Sequence, residues 1–348
     1  MTHHASCAGR TQAEVAMSVQ SLVRNEDQTC VYRSTNGSGV RVLWEVTSAC
    51  NLECDFCLVE KKHRHIPLDR ALETARDLIE CGVEKFLISG GEPLLYPWIE
   101  PLLEYLVERG VLIKLLTNGT IDKPAVWDLI RTHRSLEVSL SLPSVDEVTA
   151  DRIFRKPGSF RRLLATIDQL PLERLNVIAA YSTLNQDSIE SVIDWVAARG
   201  IPCVSITNVF KDPASPARFV DNCCVYRADS QSVANLFGLI QRKRQQYRGR
   251  LVIRTTQFHG DAGETCGAGR SVLYLDCTGC LLPCTLTDNR MYRDVVRSMS
   301  IADAVEYYHR TLPPIPNSSC VQLLTGGGAL TDSTQSPLIQ LGRAGGRT

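Results

Sequence analysis

At 348 residues, with 44% hydrophobic and 22% charged side chains, the chain is long enough to bury a large core plus a smaller companion. Its 38 Lys and Arg balance 38 Asp and Glu, which argues against a nucleic-acid or membrane-surface partner. No apolar run approaches the ~18 residues that span a bilayer, and the first ten residues lack the apolar core of a secretion signal, so a cytoplasmic protein is expected.

Residues 1–40 are polar, with Ser-Thr-Asn-Gly-Ser-Gly at 34–39, and read as an N-terminal arm in which Cys7 and Cys30 lack ligand spacing. From residue 41 short aliphatic runs alternate with amphipathic segments. The runs are Arg41–Thr47, Lys85–Ser89, Leu112–Leu116, Leu136–Leu142, Asn176–Ser182 and Cys203–Ile206. Between them, helices are expected at Leu68–Cys81, Trp98–Arg109, Ala125–Thr132, Phe160–Leu170 and Ser188–Arg199. Gly82, Gly110 and Gly200 stand just past three of these, and Pro67 and Pro124 near two of the starts. Apolar strands that do not alternate fit a parallel sheet covered on both faces. Six strand–helix repeats make an α/β fold but fall short of the eight of a full barrel, so residues 41–208 read as a partial (β/α)6 TIM-like barrel. Residues 208–230, with Pro213, Pro216 and Cys223-Cys224, are irregular; a helix follows over about 230–247, then strand-like runs Leu251–Arg254 and Val272–Leu275. The basic runs at 61–65 and 242–244 read as solvated faces. Residues 325–348, rich in Gly, Thr and Ser, read as a disordered tail.

In a reducing compartment 14 cysteines are better explained by metal sites than by disulfides. Cys50-Asn51-Leu52-Glu53-Cys54-Asp55-Phe56-Cys57 follows the first strand with C-x3-C-x2-C spacing. Three thiolates on one tight loop can hold three irons of a [4Fe–4S] cluster and leave the fourth without a protein ligand. The alternative is a zinc site completed by His63 or His65, since structural zinc normally takes four ligands.

With Phe56 before the last cysteine, Ser89-Gly90-Gly91-Glu92-Pro93 after the second strand and Thr117-Asn118-Gly119 after the third, residues 41–207 resemble the radical S-adenosylmethionine (SAM) superfamily. The resemblance implies an enzyme whose cluster binds SAM at its open iron and, once reduced, cleaves it to methionine and a 5′-deoxyadenosyl radical that abstracts a substrate hydrogen. It implies that Gly90 and Gly91 let the backbone approach the methionine end of SAM, that Glu92 accepts from its ammonium, and that Pro93 rigidifies the turn. Asn118 would stand at the active-site end of its strand. Ser139 or Ser141 on the fourth strand would contact SAM, although Leu142-Pro143-Ser144 follows where relatives often carry Asp-Gly. Within Asp151-Arg152-Ile153-Phe154-Arg155, Arg155, with Arg152 in reserve, would pair with the SAM carboxylate, and Asn185 would approach the ribose.

Farther on, Cys266-x12-Gly279-x4-Cys284 is similar to the opening of the auxiliary-cluster domains called twitch or SPASM. That implies a small C-terminal α+β cluster-binding domain over 209–324. Its second [4Fe–4S] cluster would sit on Cys266 and Cys284, with Cys320 after a helix near Ser300–Arg310 and Cys280 or Cys277 as further ligands. A zinc knuckle or an empty domain is the alternative. Cys81, Cys203, Cys223 and Cys224 read as buried thiols. Relatives with such domains mostly modify peptides, and others oxidise or rearrange small molecules. The expected substrate is therefore a peptide or a small molecule, and the expected redox partner an electron donor such as flavodoxin or ferredoxin. No general base is identified; Asp276 and Asp288 lie near the second cysteine cluster. A non-catalytic metal-binding protein is the remaining reading, and the Gly-Gly-Glu-Pro turn speaks against it.

Overall fold

A computed structural model describes residues 23–24, 30–31, 40–57, 59–208, 230–256, 265–269, 271–285, 290–311 and 315–316. Cys7, Cys223, Cys224, Asp288, Cys320 and the segment 325–348 lie outside the described residues. Among those described, no helix is long and apolar enough to cross a membrane.

Two short strands, β1 (Val23–Arg24) and β2 (Cys30–Val31), pair antiparallel. The central sheet then builds in chain order: β3 (Val40–Thr47), β4 (Val83–Gly90), β5 (Leu112–Thr117), β6 (Leu136–Ser141), β7 (Leu175–Tyr181), β8 (Cys203–Asn208) and β9 (Val252–Thr256). These seven run parallel, each beside the next, and the sheet does not close on itself. This is the partial TIM-like barrel expected, extended by one strand. Two short strands, β10 (Thr265–Cys266) and β13 (Ile315–Pro316), pair apart from it. At the β3 edge, β11 (Val272–Leu275) adds in parallel and β12 (Leu281–Leu282) folds back on it.

Helices α1 (Leu68–Glu80), α2 (Ile99–Glu108), α3 (Pro124–Thr132), α4 (Glu147–Phe154), α5 (Ser159–Gln169) and α6 (Ile189–Ala198) cover the convex face. Pro124 opens α3 at a position whose N–H would have no helical partner. Gly82, Gly110 and Gly200, each at positive φ, close α1, α2 and α6 as expected. The sequence reading did not include α4. Its signal is short: Asp146 caps it by accepting from Thr149 N at 2.8 Å, and only eight residues follow.

The strands do alternate, contrary to the sequence reading. Val42, Trp44, Phe86, Ile88, Leu115 and Val138 point outward and are buried under the helices. Their neighbours on the concave face include Glu45, Lys85, Lys114, Glu137, Ser139, Asn176, Ser205 and Arg254. A barrel interior that receives a ligand needs polar groups, and in aliphatic strands these are spaced every second residue.

Past the sheet, α7 (Ser230–Gln246), α8 (Arg290–Val296) and α9 (Ile301–Thr311) complete the described elements, with α9 against α1. Lys243 of the 242–244 run is buried rather than solvated. It bonds Asp194 at 2.7 Å and Glu190 at 2.8 Å, fixing α7 to α6.

Candidate functional site

The cysteine loop leaves the C-terminal end of β3 and is pinned at its base. Ser48 N donates to Arg64 O at 2.8 Å, Arg64 N to Ser48 Oγ at 3.0 Å, and Thr47 bridges His65. Within it, Cys57 N donates to Cys54 O at 3.1 Å, and buried Leu52 anchors the turn. The loop is then tied to its neighbours. Asn51 donates to Thr120 Oγ1 at 2.8 Å and accepts from Asn118 Nδ2 at 3.0 Å. Lys156 Nζ donates to Asn51 O at 3.0 Å, and Glu53 N to Phe154 O at 3.2 Å. Lys61 Nζ donates to Leu52 O.

Cys50, Cys54 and Cys57 lie close enough to influence one another electrostatically. Burial pushes the Cys50 thiol up to about 11 and the Cys54 thiol up to about 12; each nearby thiol adds to the rise, and Lys61 opposes it. Burial likewise raises Cys57. Such thiols stay protonated unless a cation stabilises the thiolate, as a bound metal does outright. Three half-buried soft donors on one loop therefore fit an iron–sulfur cluster. Among the described residues no three His, Cys, Asp or Glu side chains converge on a single ion. His65, the zinc alternative's partner, packs edge-on against Trp98 with ring centroids 5.4 Å apart. Phe56 is half-buried in the same loop.

Gly90 and Gly91 permit a close approach, but to the chain's own backbone. Gly91 N donates to Thr47 O and Glu92 N to Ala49 O, both at 2.7 Å. A Cβ on Gly90 would collide with Thr47 O, and one on Gly91 with Ala49 O. The turn thus holds the start of the cysteine loop. Glu92, 0% exposed, accepts from Leu94 N (3.0 Å), Thr117 Oγ1 (2.6 Å) and Asn118 N (2.8 Å). Burial raises its carboxyl to about 7 against those three donors. It braces β4 to β5 from inside. Pro93 opens a buried single turn, Pro93–Leu95.

Asn118 couples β5 to the cysteine loop through Asn51, and its Oδ1 accepts from Thr120 N and Oγ1. Ser139, 1% exposed, accepts from Asn176 Nδ2 at 2.9 Å, and Asn176 Oδ1 accepts from Ser205 Oγ at 3.1 Å, a polar ladder across β6, β7 and β8. Ser141 lies two residues nearer the rim, half-buried. Arg155 takes a left-handed conformation just after α4 and reaches Asp55 of the cysteine loop at 3.6 Å, and Arg152 also acts on Asp55. Asn185 is buried. Its Oδ1 accepts from Ser182 N and Oγ, and its Nδ2 donates to Pro143 O and Ala180 O. It ties the loop after β7 to the loop after β6.

The hairpin β11–β12 carries the second cysteine group. Asp276 shapes its turn, accepting from Thr278 N (2.8 Å), Thr278 Oγ1 (2.7 Å) and Cys280 N (3.0 Å), and pairing with Arg293. Cys277 and Cys280 are therefore at the turn. Cys284 follows β12 at the open end, where Gly269 N donates to Pro283 O at 3.0 Å and brings the segment after Cys266 alongside. The hairpin register sets Cys280 by its turn and Cys284 past its open end.

Sequence reasoning missed Glu45 and Tyr274. Tyr274 Oη donates to Glu45 Oε2 at 2.6 Å, and Cys277 hydrogen-bonds to Glu45 and Ser48. Burial raises the Glu45 carboxyl. The available signal was a carboxylate in the middle of the strand Trp44-Glu45-Val46, pointing away from the apolar helices.

A model described as the radical SAM superfamily matches residues 44–212. An AdoMet-dependent heme synthase of Methanosarcina barkeri (strain Fusaro / DSM 804) is 29% identical over 133 residues, 37% of this chain and 38% of that protein. The antilisterial bacteriocin subtilosin biosynthesis protein AlbA of Bacillus subtilis (strain 168) is 28% identical over 166 residues, 45% of this chain and 37% of that protein. The chain thus spans under two fifths of the length of these two relatives. The crystal structure of Streptococcus suis SuiB bound to precursor peptide SuiA superposes with a TM-score of 0.61 at 17% identity, over 71% of this chain and 59% of that one. Such a likeness shows the fold, and the fold and the matched segment agree. Residues 44–212 thus form a domain of the radical SAM superfamily.

Proposed function

We propose that the chain is a radical SAM enzyme in which Cys50, Cys54 and Cys57 hold a [4Fe–4S] cluster with one iron left for SAM. When bound, that pair supplies, on reduction by a donor such as flavodoxin or ferredoxin, a 5′-deoxyadenosyl radical that takes a hydrogen atom from the substrate. The observation that carries the reading is the gathering of three half-buried thiols on a loop fixed to the C-terminal ends of β3, β4 and β5. Active-site groups collect at that end of parallel strands. Gly90 and Gly91 hold the loop's start, Glu92 and Asn118 fix the neighbouring rim, and Arg155 approaches through Asp55. The concave face beneath excludes bulk water from a reactive intermediate. Glu45, buried beside Tyr274 and facing inward, is the carboxylate best situated to accept a proton there. Cys266 and Cys284, with Cys320, would hold an auxiliary cluster.

The finer reading is peptide modification, supported by the sequence relative named for bacteriocin biosynthesis. A second reading, small-molecule chemistry, is favoured by the charged concave face and by the heme synthase relative.

Anaerobic reconstitution tests the core of the proposal. About four irons are expected for one cluster and about eight for two. 5′-Deoxyadenosine should form from SAM under a strong reductant and vanish in Cys54→Ala. Protein filled with zinc and unable to cleave SAM after reconstitution would overturn it in favour of a non-catalytic metal-binding protein.

A further inference from the structure

The basic run at 61–65 is exposed from Lys62 to His65, as a solvated face would be, yet its backbone is fixed to the cysteine loop. Lys62 N donates to Glu60 O and Ser48 N to Arg64 O, both at 2.8 Å, and Arg64 N donates to Ser48 Oγ at 3.0 Å. Between these bonds His63 is held at φ 51°, a left-handed conformation uncommon outside glycine. At the inner end of this strap Lys61 Nζ donates to Leu52 O, within the cysteine loop, and its charge acts on Cys50, Cys54 and Cys57 alike. Lys61 is four positions past Cys57, so their Cα atoms lie at most about 14 Å apart. At the outer end His65 packs edge-on against half-buried Trp98.

The charge of the strap is not matched within it. Glu60, its single carboxylate, takes Lys62 at 2.7 Å, with both side chains nearly half exposed. Lys61 meets a neutral carbonyl. Arg64 bonds through its backbone, and its guanidinium forms no ion pair among the described residues. In the adjoining segments Glu53, Asp55 and Asp151 cancel Arg152, Arg155 and Lys156, so the excess stays on the strap. The chain as a whole carries 38 basic and 38 acidic residues, so an anionic partner is drawn to local patches and not to a net charge. The chemistry proposed above requires one electron from outside for every SAM cleaved. Electron tunnelling falls steeply with distance, so the donor has to dock close to the thiols. The strap is exposed surface bonded directly to the loop that carries them.

We propose that Lys61, Lys62, Arg64 and Trp98 form the docking surface of an acidic one-electron donor protein, whose redox group, ringed by carboxylates, meets the outer side of the cysteine loop. One electron passes from donor to cluster; no bond is made or broken at the strap. The cations steer the partner and set its register, while Trp98 and His65 offer the aromatic contact on which a small interface is anchored. Electron-transfer encounters bury under about 1,200 Å², which suits a patch of this extent. An acidic peptide would meet the same cations, but its binding gives no reason for them to be fixed against the thiols. The choice of partner rests on the radical SAM reading; the presence of an anion-recognising surface does not.

The test uses full-length, anaerobically reconstituted protein, with a flavodoxin and a low-potential ferredoxin as probes and an oligoglutamate peptide for comparison. Binding is read on an optical biosensor, and SAM cleavage as 5′-deoxyadenosine. At least one donor should bind saturably in about 50 mM salt and at least about tenfold more weakly in about 300 mM. Lys62→Glu should weaken donor binding at least about fivefold, and its combination with Arg64→Gln more than about tenfold. The KM for the donor should rise in step while kcat is kept. Cleavage driven by reduced methyl viologen, a small cation that needs no docking surface, should stay within about twofold of wild type in Lys62→Glu. Both side chains are exposed, so melting should be unchanged; were Lys62→Glu to fail to fold, Arg64→Gln alone carries the test. Binding of neither donor, donor binding undiminished by both substitutions, or binding of the glutamate peptide without binding of a donor would overturn the docking surface. Cleavage with methyl viologen but no strap-dependent donor binding removes the docking surface alone. Strap-dependent donor binding with no cleavage by methyl viologen removes the radical reading alone.

Discussion

Glu92→Gln tests the internal brace with the least change in shape. Wild-type Glu92 is wholly buried and meets three donors, Leu94 N, Thr117 Oγ1 and Asn118 N, at 2.6–3.0 Å. The glutamine carbonyl can serve two of them as Oε1 does now, but the amide NH2 then faces Asn118 N, donor against donor. That loss is about 2–3 kcal/mol for an unsatisfied buried N–H and a weakened network. Against it stands the cost of burying charge. The folded carboxyl titrates at about 7, above the ordinary 4.5. A raised folded value means that its stabilising contribution is complete below the unfolded value and is lost as pH rises through about 7. Glutamine does not titrate, so the difference between the two proteins isolates this one group. From pH 5.5 to pH 8 the advantage of wild type should shrink by about 2 kcal/mol, on the order of 4 °C in melting temperature. Paired thermal melts of anaerobically reconstituted wild type and Glu92→Gln across that range read it directly. A melting difference that stays flat, or widens with rising pH, would refute the buried-carboxylate reasoning.

Other substitutions probe the neighbouring contacts. Gly91→Ala presses a methyl against Ala49 O and Ser48 O, backbone that cannot yield without moving Cys50, so reconstituted iron should fall well below wild type while the secondary-structure signal by circular dichroism persists. Asn51→Ala strips Asn118 and Thr120 of partners and should cost about 1–3 kcal/mol in denaturant unfolding, along with faster iron loss to a chelator. Asp276→Ala removes the acceptor of Thr278 N and Cys280 N and the partner of Arg293, with an expected loss of about 2–3 kcal/mol by urea titration. Trp44→Phe should be nearly neutral, within about 1 kcal/mol, because the buried indole N–H meets no acceptor among the described residues and its removal offsets the small cavity.

What was legible in the sequence was whatever repeats or is spaced by chemistry. The six parallel strands and five of the helices followed from periodicity and from glycines at helix ends, and the thiol loop from its spacing. What escaped depended on partners distant in the chain. The strand Val272–Leu275 is apolar enough to recognise, but nothing local says that it adds to β3, some 230 residues earlier. The motif around Glu92 says nothing of its burial or of the donors Thr117 Oγ1 and Asn118 N, which lie 25 and 26 residues farther on. Lys243 looked solvated beside Arg242 and Arg244, whereas helix period turns it inward onto Asp194.

The direction in which β11 joins the sheet decides how the chemistry is distributed. Because it runs parallel to β3, the C-terminal ends of both strands open on the same rim. Cys277 follows β11 by two residues and hydrogen-bonds to Glu45 and Ser48, at the end of β3 from which the cysteine loop leaves, although the two segments are more than 220 residues apart. Had β11 joined antiparallel, the same sequence would have carried Cys277 to the floor, among Arg41 and Lys85. Parallel addition thus keeps soft donors and a buried carboxylate at one end of the barrel and hard cations at the other.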